Sequence, residues 1–454
     1  MEPDPDATAR VLSAIGEEDF GRLLASLVTR YRDFDLAEEA VHDAVLRAVE
    51  TWPSRGVPER PQAWLMATAK NRAIDLIRAD EVRTRHLARL RIEDELRPGD
   101  HDDHAVRLGE EMDGADIPDE RLGLFFTCSH PTLREDERIV LILRFLSGLT
   151  TAEVAAGFLV ETATMQQRIV RAKQRILKTG IPFGRPAPDD VDGRLPGVLR
   201  VLYLIFTQGI NATSGPAHTR VDLQREAIRL TRLLVGYLPG QTEARGLLAL
   251  LLLTRAREST RVAQDGRPVP LADQDRSKWD SFLIAEGTAL VDTAAGEPGA
   301  GAFTIQAAIA ALHADAARFA DTDWKQILVL YRMLSDLDPS PVVALNTAIA
   351  LGKVSGPEAA MSALDKLADD PQLLRHRPFH IARAITLDEL GRTSEAEDAY
   401  AAGLDCPGND AESEFITARI TDLQRSPGQG LLRLGRQRSA RSERREALLR
   451  RRSG

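Results

Sequence analysis

Apolar side chains recur at three- and four-residue spacing along most of the chain, and runs that alternate Val, Ile or Thr with polar residues are nearly absent. This constrains the fold more than any other feature. A 3.6-residue period lays one apolar stripe along a helix, whereas a half-buried strand needs a period of two. With aromatics at only 5% and Ala, Leu, Arg and Glu abundant, the chain reads as all-α. Its 454 residues, 43% of them hydrophobic, suffice for several packed domains. The opening MEPDPDATAR has neither a basic segment nor an apolar one, and no apolar run reaches the length of a membrane span, so a cytoplasmic location and no membrane partner are expected. Cys128 and Cys406 are the only cysteines and give neither a disulfide framework nor a CxxC metal site, so no metal and no cofactor are expected.

Residues 8–90 read as one small helical bundle. TARVLSAIGEEDFGRLLASLVTRYR carries Leu23, Leu24, Leu27 and Val28 on one face, DLAEEAVHDAVLRAVETW forms a second helix, and Pro53, Gly56, Pro58 and Pro61 break the pattern. A third helix follows in QAWLMATAKNRAIDLIRADEVRTRHLARL. Residues 91–117 form an acidic linker: between 93 and 116 there are ten Asp or Glu against two Arg and few large apolar side chains.

Residues 118–180 hold a second compact helical unit. Ile139 to Leu143 belong to a core-facing helix ended by Gly148, and Thr150-Thr151-Ala152-Glu153 supplies a helix start, with Thr162 an N-cap candidate for the next helix. That next helix, TATMQQRIVRAKQRIL, has Arg168, Arg171, Lys173 and Arg175 and no acidic residue, within a chain whose net charge is −9. A short helix, a tight turn and a basic helix make the helix-turn-helix pattern, whose second helix enters the major groove. Thr164, Gln166 and Gln167 stand where side chains reach base edges, and the four cations follow toward phosphates. The competing reading of such a helix is a solvated face of an ordinary bundle.

Together these two blocks resemble the extracytoplasmic-function class of bacterial RNA polymerase sigma factors. DLAEEAVHDAVLRAVETW is similar to the acidic helix that binds core polymerase in that family, and PQAWLMATAKNRAIDLIRADEVR to its promoter −10 segment. Met165, Arg168, Arg171 and Lys173 fall where the −35-reading domain shows V-x-x-R-x-x-R-A-R. The resemblance implies −10 contacts from Trp64, Lys70, Asn71, Arg72 and Arg78, the basic, aromatic and polar types that hold an unstacked base. For Trp64 a place in the core is the stronger reading. It further implies core-polymerase contacts from Asp35, Glu38, Glu39 and Asp43 beside Val41 and Leu46.

Beyond the two blocks the chain continues at length. Residues 186–295 read as a helical connecting domain in which Leu248 to Leu253 is too apolar for a surface helix and too short for a bilayer. Its insert DGRPVPLADQDRSKWD, 265–280, groups Asp273, Gln274, Asp275, Arg276, Lys278 and Trp279. Lacking a nearby His or Cys nucleophile and a Gly-rich phosphate loop, it reads as an Asp/Arg network pinning the loop around a core tryptophan rather than as a catalytic site. Residues 303–425 show paired helices with Leu351-Gly352 and Leu390-Gly391 at a 39-residue period, resembling lengthened tetratricopeptide repeats with a peptide or protein partner. Residues 431–454 carry nine Arg and two Glu and are assigned no fold.

With this extension the chain resembles the sigma-factor subgroup that carries a tetratricopeptide-like C-terminal domain. LYLIFTQGINATSG and LADQDRSKWD fall at that subgroup's characteristic segments, with Gln208 where an acidic residue commonly stands. The expected function is a non-enzymatic promoter-specificity subunit whose partners are core polymerase and promoter DNA and whose activity its C-terminal half controls. A stand-alone helix-turn-helix regulator with a protein-binding repeat domain is the first alternative. An enzyme built around residues 195–290 is the second.

Overall fold

The computed structural model describes residues 8, 10–12, 17–92, 120–158, 160–184, 186–210, 221–263, 267–408 and 410–425. Residues 93–117 of the expected linker and the Arg-rich tail lie outside the described residues. Among the described residues the regular structure is helical, with one isolated antiparallel bridge between Val262 and Pro268. The chain divides into two compact units, residues 1–202 and 203–454.

In the first unit, α1 (Glu17–Tyr31) buries Leu23, Leu24, Leu27 and Val28. The helix α2 (Phe34–Arg55) starts at Asp33, whose carboxylate accepts from the amides of Asp35 and Leu36 and so occupies free donors of the first turn. Ala37, Ala40, Ala44 and Ala48 are buried at helical spacing, and their small side chains let α3 (Pro61–Ile92) lie close. Pro53 does not break α2 as expected. It sits in the last turn, and the helix runs on to Arg55 before Gly56 at φ 84° ends it. Pro61 opens α3, a first-turn position where a missing N–H costs nothing.

The same unit holds α4 (Arg121–Cys128), α5 (Glu135–Phe145), α6 (Thr151–Gly157) and α7 (Thr162–Thr179). Thr150 and Glu153 cap α6 reciprocally: the Glu153 amide donates to the Thr150 hydroxyl at 3.2 Å, and the Thr150 amide to the Glu153 carboxylate at 2.7 Å. Thr162 is not the N-cap of α7; Glu161 is, with extended backbone and no side-chain cap, and Thr162 already belongs to the helix. Gly180, left-handed at φ 64°, closes α7. The first part of α8 (Pro188–Ile210) also belongs here, since Arg194 donates to the Phe126 carbonyl at 2.9 Å and Arg200 pairs with Glu135.

In the second unit α9 (Val221–Tyr237), α10 (Thr242–Arg255), α11 (Glu258–Arg261), α12 (Ser281–Ala295) and α13 (Ala302–Asp315) form a bundle around α10, in which Leu247 to Leu253 are all buried. Each such leucine contributes about 1.5–3 kcal/mol of burial. Contact between α10 and α13 is close enough that a Cβ on Gly246 would stand 2.8 Å from the backbone nitrogen of Thr304. Then α14 (Trp324–Leu337), α15 (Pro341–Ser355), α16 (Pro357–Asp365), α17 (Arg377–Glu389), α18 (Thr393–Leu404) and α19 (Asp410–Arg425) each pack on the next, as stacked helix pairs do. The two Leu-Gly pairs prove unequal. Gly352 lies inside α15, where a Cβ would come within 2.7 Å of Ala360, whereas Gly391 follows α17 at φ 74° and makes the turn into α18.

Candidate nucleic-acid interface

The basic helix α7 has two faces of different chemistry. Met165, Ile169, Ala172 and Ile176 form its buried stripe, and Lys173 falls on that stripe too. Thr164, Gln166, Gln167 and Arg171 are exposed, with Arg168 partly so. Arg171 lies over Gln167, its guanidinium 3.4 Å from the amide oxygen, one helical turn apart. Arg175 is turned back toward Glu137 at 3.5 Å. The exposed half of α7 therefore offers amide and hydroxyl groups near its N-terminus and cations after them.

Lys173 departs from the expectation of a solvent-facing phosphate contact. Its ammonium is buried, ion-paired with Asp35 and 3.4 Å from Glu38, both in α2. Glu38 also pairs with Arg144 of α5. Below these charges Phe34 packs on Phe145 at 4.4 Å and on Phe183 at 5.5 Å between ring centroids. Residues read from sequence as a polymerase-binding site and as a DNA-reading site thus meet each other. Arg144 and the Phe34–Phe145 contact escaped the sequence reading; their only signal is an aromatic directly after the Asp33 cap and a cation in the otherwise apolar C-terminal half of α5.

The −10 set lies along α3. Asn71 and Arg78 are exposed, Lys70 is half-buried, and burial next to Arg30 pulls its ammonium below the usual lysine range. Arg72 pairs with Asp43 and, at 3.8 Å, with Glu39, so this cation is held against α2, and its hydrogen bond to Asp43 raises its pKa. Trp64 stacks edge-on against the buried Trp52 at 5.4 Å and is only partly exposed, which gives it an anchoring place. On α2 Val41 is partly exposed, and Glu39 and Leu46 are exposed, with Leu46 at 48%.

Burial drives the Cys128 thiol far above the ordinary thiol range, and no set of three or more metal-ligating side chains converges among the described residues. Asp275 is fully engaged, accepting from Ser277 and pairing with Lys278. No helix among the described residues is long and apolar enough to cross a membrane.

A three-helix module with an acidic second helix, followed by a helix-turn-helix with a basic recognition helix, defines a transcription-initiation protein of the promoter-reading kind. Residues 18–83 match Sigma-70 region 2 and residues 126–176 match Sigma-70, region 4. Residues 194–295 match a family of unknown function, DUF6596. An uncharacterised protein of Rhizobium meliloti (strain 1021) is 40% identical over 404 residues, which cover 89% of this chain and 94% of that protein. No solved structure matches. The chain belongs to the sigma-70 family, as an extracytoplasmic-function-like member with a C-terminal extension. Members of that family are transcription initiation factors, not enzymes.

Proposed function

We propose that this sigma factor binds core polymerase through α2, reads the −10 element through α3 and the −35 element through the exposed face of α7, and is controlled by its C-terminal extension. The observation that carries the promoter assignment is α7 itself: a helix-turn-helix second helix with Thr164, Gln166 and Gln167 ahead of Arg168 and Arg171, all on its accessible side. No bond chemistry is required of it. Its contribution is differential binding to duplex and melted promoter DNA, with polymerase supplying catalysis.

The Lys173 pairing adds a state to this reading. With Asp35 and Glu38 bound to Lys173 and Arg144, the acidic surface of α2 meets α5 and α7, and polymerase competes for those same carboxylates. The arrangement is a closed form, and engaging core polymerase separates α2 from α7. Lys173 then becomes available to a phosphate. The stacked helices α15, α16 and α17 offer a cleft lined by Ile349, Ile381 and Ile385 as the surface for a peptide or protein partner.

The test is transcription with purified core polymerase on a promoter library. Full-length protein is expected to give promoter-specific transcripts, and Arg168→Ala with Arg171→Ala to lose them while the slope of log affinity against log salt falls by about two, one for each lost phosphate contact. Unchanged promoter choice and salt slope would overturn the assignment of α7. Tight duplex binding without polymerase would favour a stand-alone regulator.

A further inference from the structure

In the second unit one group of cations meets few anions among the described residues. The segment Asp273–Asp280 is stapled to the α10–α11 corner by three bonds. The Trp279 indole N–H donates to the Thr260 hydroxyl at 2.9 Å, the Ser259 hydroxyl to the Lys278 carbonyl at 3.0 Å, and the Asp280 amide to the Ala256 carbonyl at 2.9 Å. Arg276 reaches the other way, donating to the carbonyls of His313 and Ala316 and to the Thr322 hydroxyl. These ties hold Arg257 and Arg276 against Trp279, with guanidinium carbons 5.7 Å and 4.9 Å from its ring centroid.

Among the described residues, counter-charge for these arginines is scarce. Among the described residues neither Arg257 nor Arg261 donates a side-chain hydrogen bond or makes an ion pair. The two carboxylates that act on these arginines are already engaged. Glu258 faces Arg261 but lies 3.7 Å from Arg255 and receives Gln224, and Asp321 faces Arg276 but is clamped by Arg318. Burial and the neighbouring cations Arg261 and Arg276 pull Arg257 down to about 10. Burial, with Arg257 and Arg276 opposing, holds His313 neutral at about 4, and its Nδ1 is buried without a partner. Burial raises Tyr331 to about 12 despite Arg257 beside it, so its hydroxyl stays a neutral donor. Arg257, Arg261, His313 and Tyr331 all keep partial exposure to solvent.

Clustered, partly desolvated guanidinium groups repel one another unless an anion joins them, and their forked donors match the oxygens of a phosphate group, whose charge of up to two can join more than one of them. We infer that Arg257, Arg261 and Arg276, walled by Trp279, His313 and Tyr331, form a binding site for a phosphate group. In it Arg257 and Arg261 donate to the oxyanion, the Tyr331 hydroxyl supplies a neutral donor, and Arg276, already tied to the end of α13, fixes the floor. The Asp/Arg segment of the sequence is therefore half right as a network: Arg276 pins the loop, but through carbonyls and a hydroxyl, and the loop presents a cationic pocket. This site stands independently of promoter reading.

The experiment uses full-length protein exchanged into phosphate-free buffer and titrated at constant ionic strength with inorganic phosphate and, separately, with AMP, followed by calorimetry and thermal unfolding. Saturable binding with a dissociation constant of about 1 mM or tighter is expected, weakened at least about tenfold in both Arg257→Gln and Arg261→Gln. AMP binding at least about tenfold tighter than inorganic phosphate would identify a phosphorylated small molecule as the natural ligand; equal binding would identify the free ion. In phosphate-free buffer Arg257→Gln is expected to unfold no lower than the parent, because it removes a repelled charge. An absence of saturable binding to either probe, or undiminished binding in both variants, would overturn the site. So would a lowered unfolding temperature of Arg257→Gln together with no phosphate response in the parent, which would make Arg257 a packing partner of Trp279 alone.

Discussion

Lys173 in the first unit and Arg257 in the second are both cations drawn out of water, and their surroundings differ in one respect. Lys173 has two carboxylates, from Asp35 and Glu38, whereas Arg257 has an indole ring and two further arginines. A buried charge must be paired or its site must expect a partner. The first cation therefore speaks of a contact completed within the chain and the second of a contact left for something else. The comparison separates two roles for basic residues that composition alone merges.

Four measurements sharpen or break that contrast. The largest effect belongs to a fully satisfied charge in the second unit, Glu243, whose carboxylate accepts from the amides of Gly301, Phe303 and Thr304 and from the Thr304 hydroxyl. Glu243→Ala is expected to cost about 3 kcal/mol in denaturant unfolding, because several donors lose a charged acceptor together. A loss below about 1 kcal/mol would mean that water replaces the carboxylate readily.

Next is pH. His313 is depressed to about 4 in the folded state, so between the ordinary histidine range and that value the unfolded chain binds a proton that the folded one refuses. Stability of the second unit should fall by up to about 2 kcal/mol as pH drops through that window, and His313→Gln should flatten the fall. An equal acid loss in the variant would place the titrating group elsewhere.

Lys173→Met should cost the first unit about 1–2 kcal/mol. Glu38 is left without one of its two cations, while Asp35, 79% exposed, is rescued by water. Spectroscopic unfolding checks it, and no loss would dissolve the closed pairing. Smallest of all is Arg257→Gln without phosphate, expected near zero or slightly stabilising. A loss like that of Lys173→Met would erase the contrast between the two cations.

The helical architecture was legible because period alone specifies it: the Leu23-Leu24-Leu27-Val28 face, the Thr150–Glu153 cap and the buried run Leu248 to Leu253 are all local patterns. The exposed half of α7 was legible for the same reason. Lys173 was not, since whether a cation at the edge of an apolar stripe meets a phosphate or a carboxylate depends on Asp35, far away in sequence. Nor was the different use of Gly352 and Gly391, which turns on how far α15 continues past its Leu-Gly pair. The arginine group escaped for a similar reason, because Arg257 and Arg261 come from one corner, Arg276 from a loop and His313 from another helix, and no linear motif joins them.

The helix α13 is held at both ends and along its middle. Glu243 grips its first amides, Arg276 grips the carbonyls at its far end, and Gly246 lets α10 press against it between those grips. A helix ordinarily loses its protection from the ends inward, as terminal turns fray and recover. Here both ends are fastened to neighbouring segments, so the amides of α13 exchange with solvent deuterium only when the whole bundle around α10 comes apart, and the helix marks the slowest-opening region of the second unit.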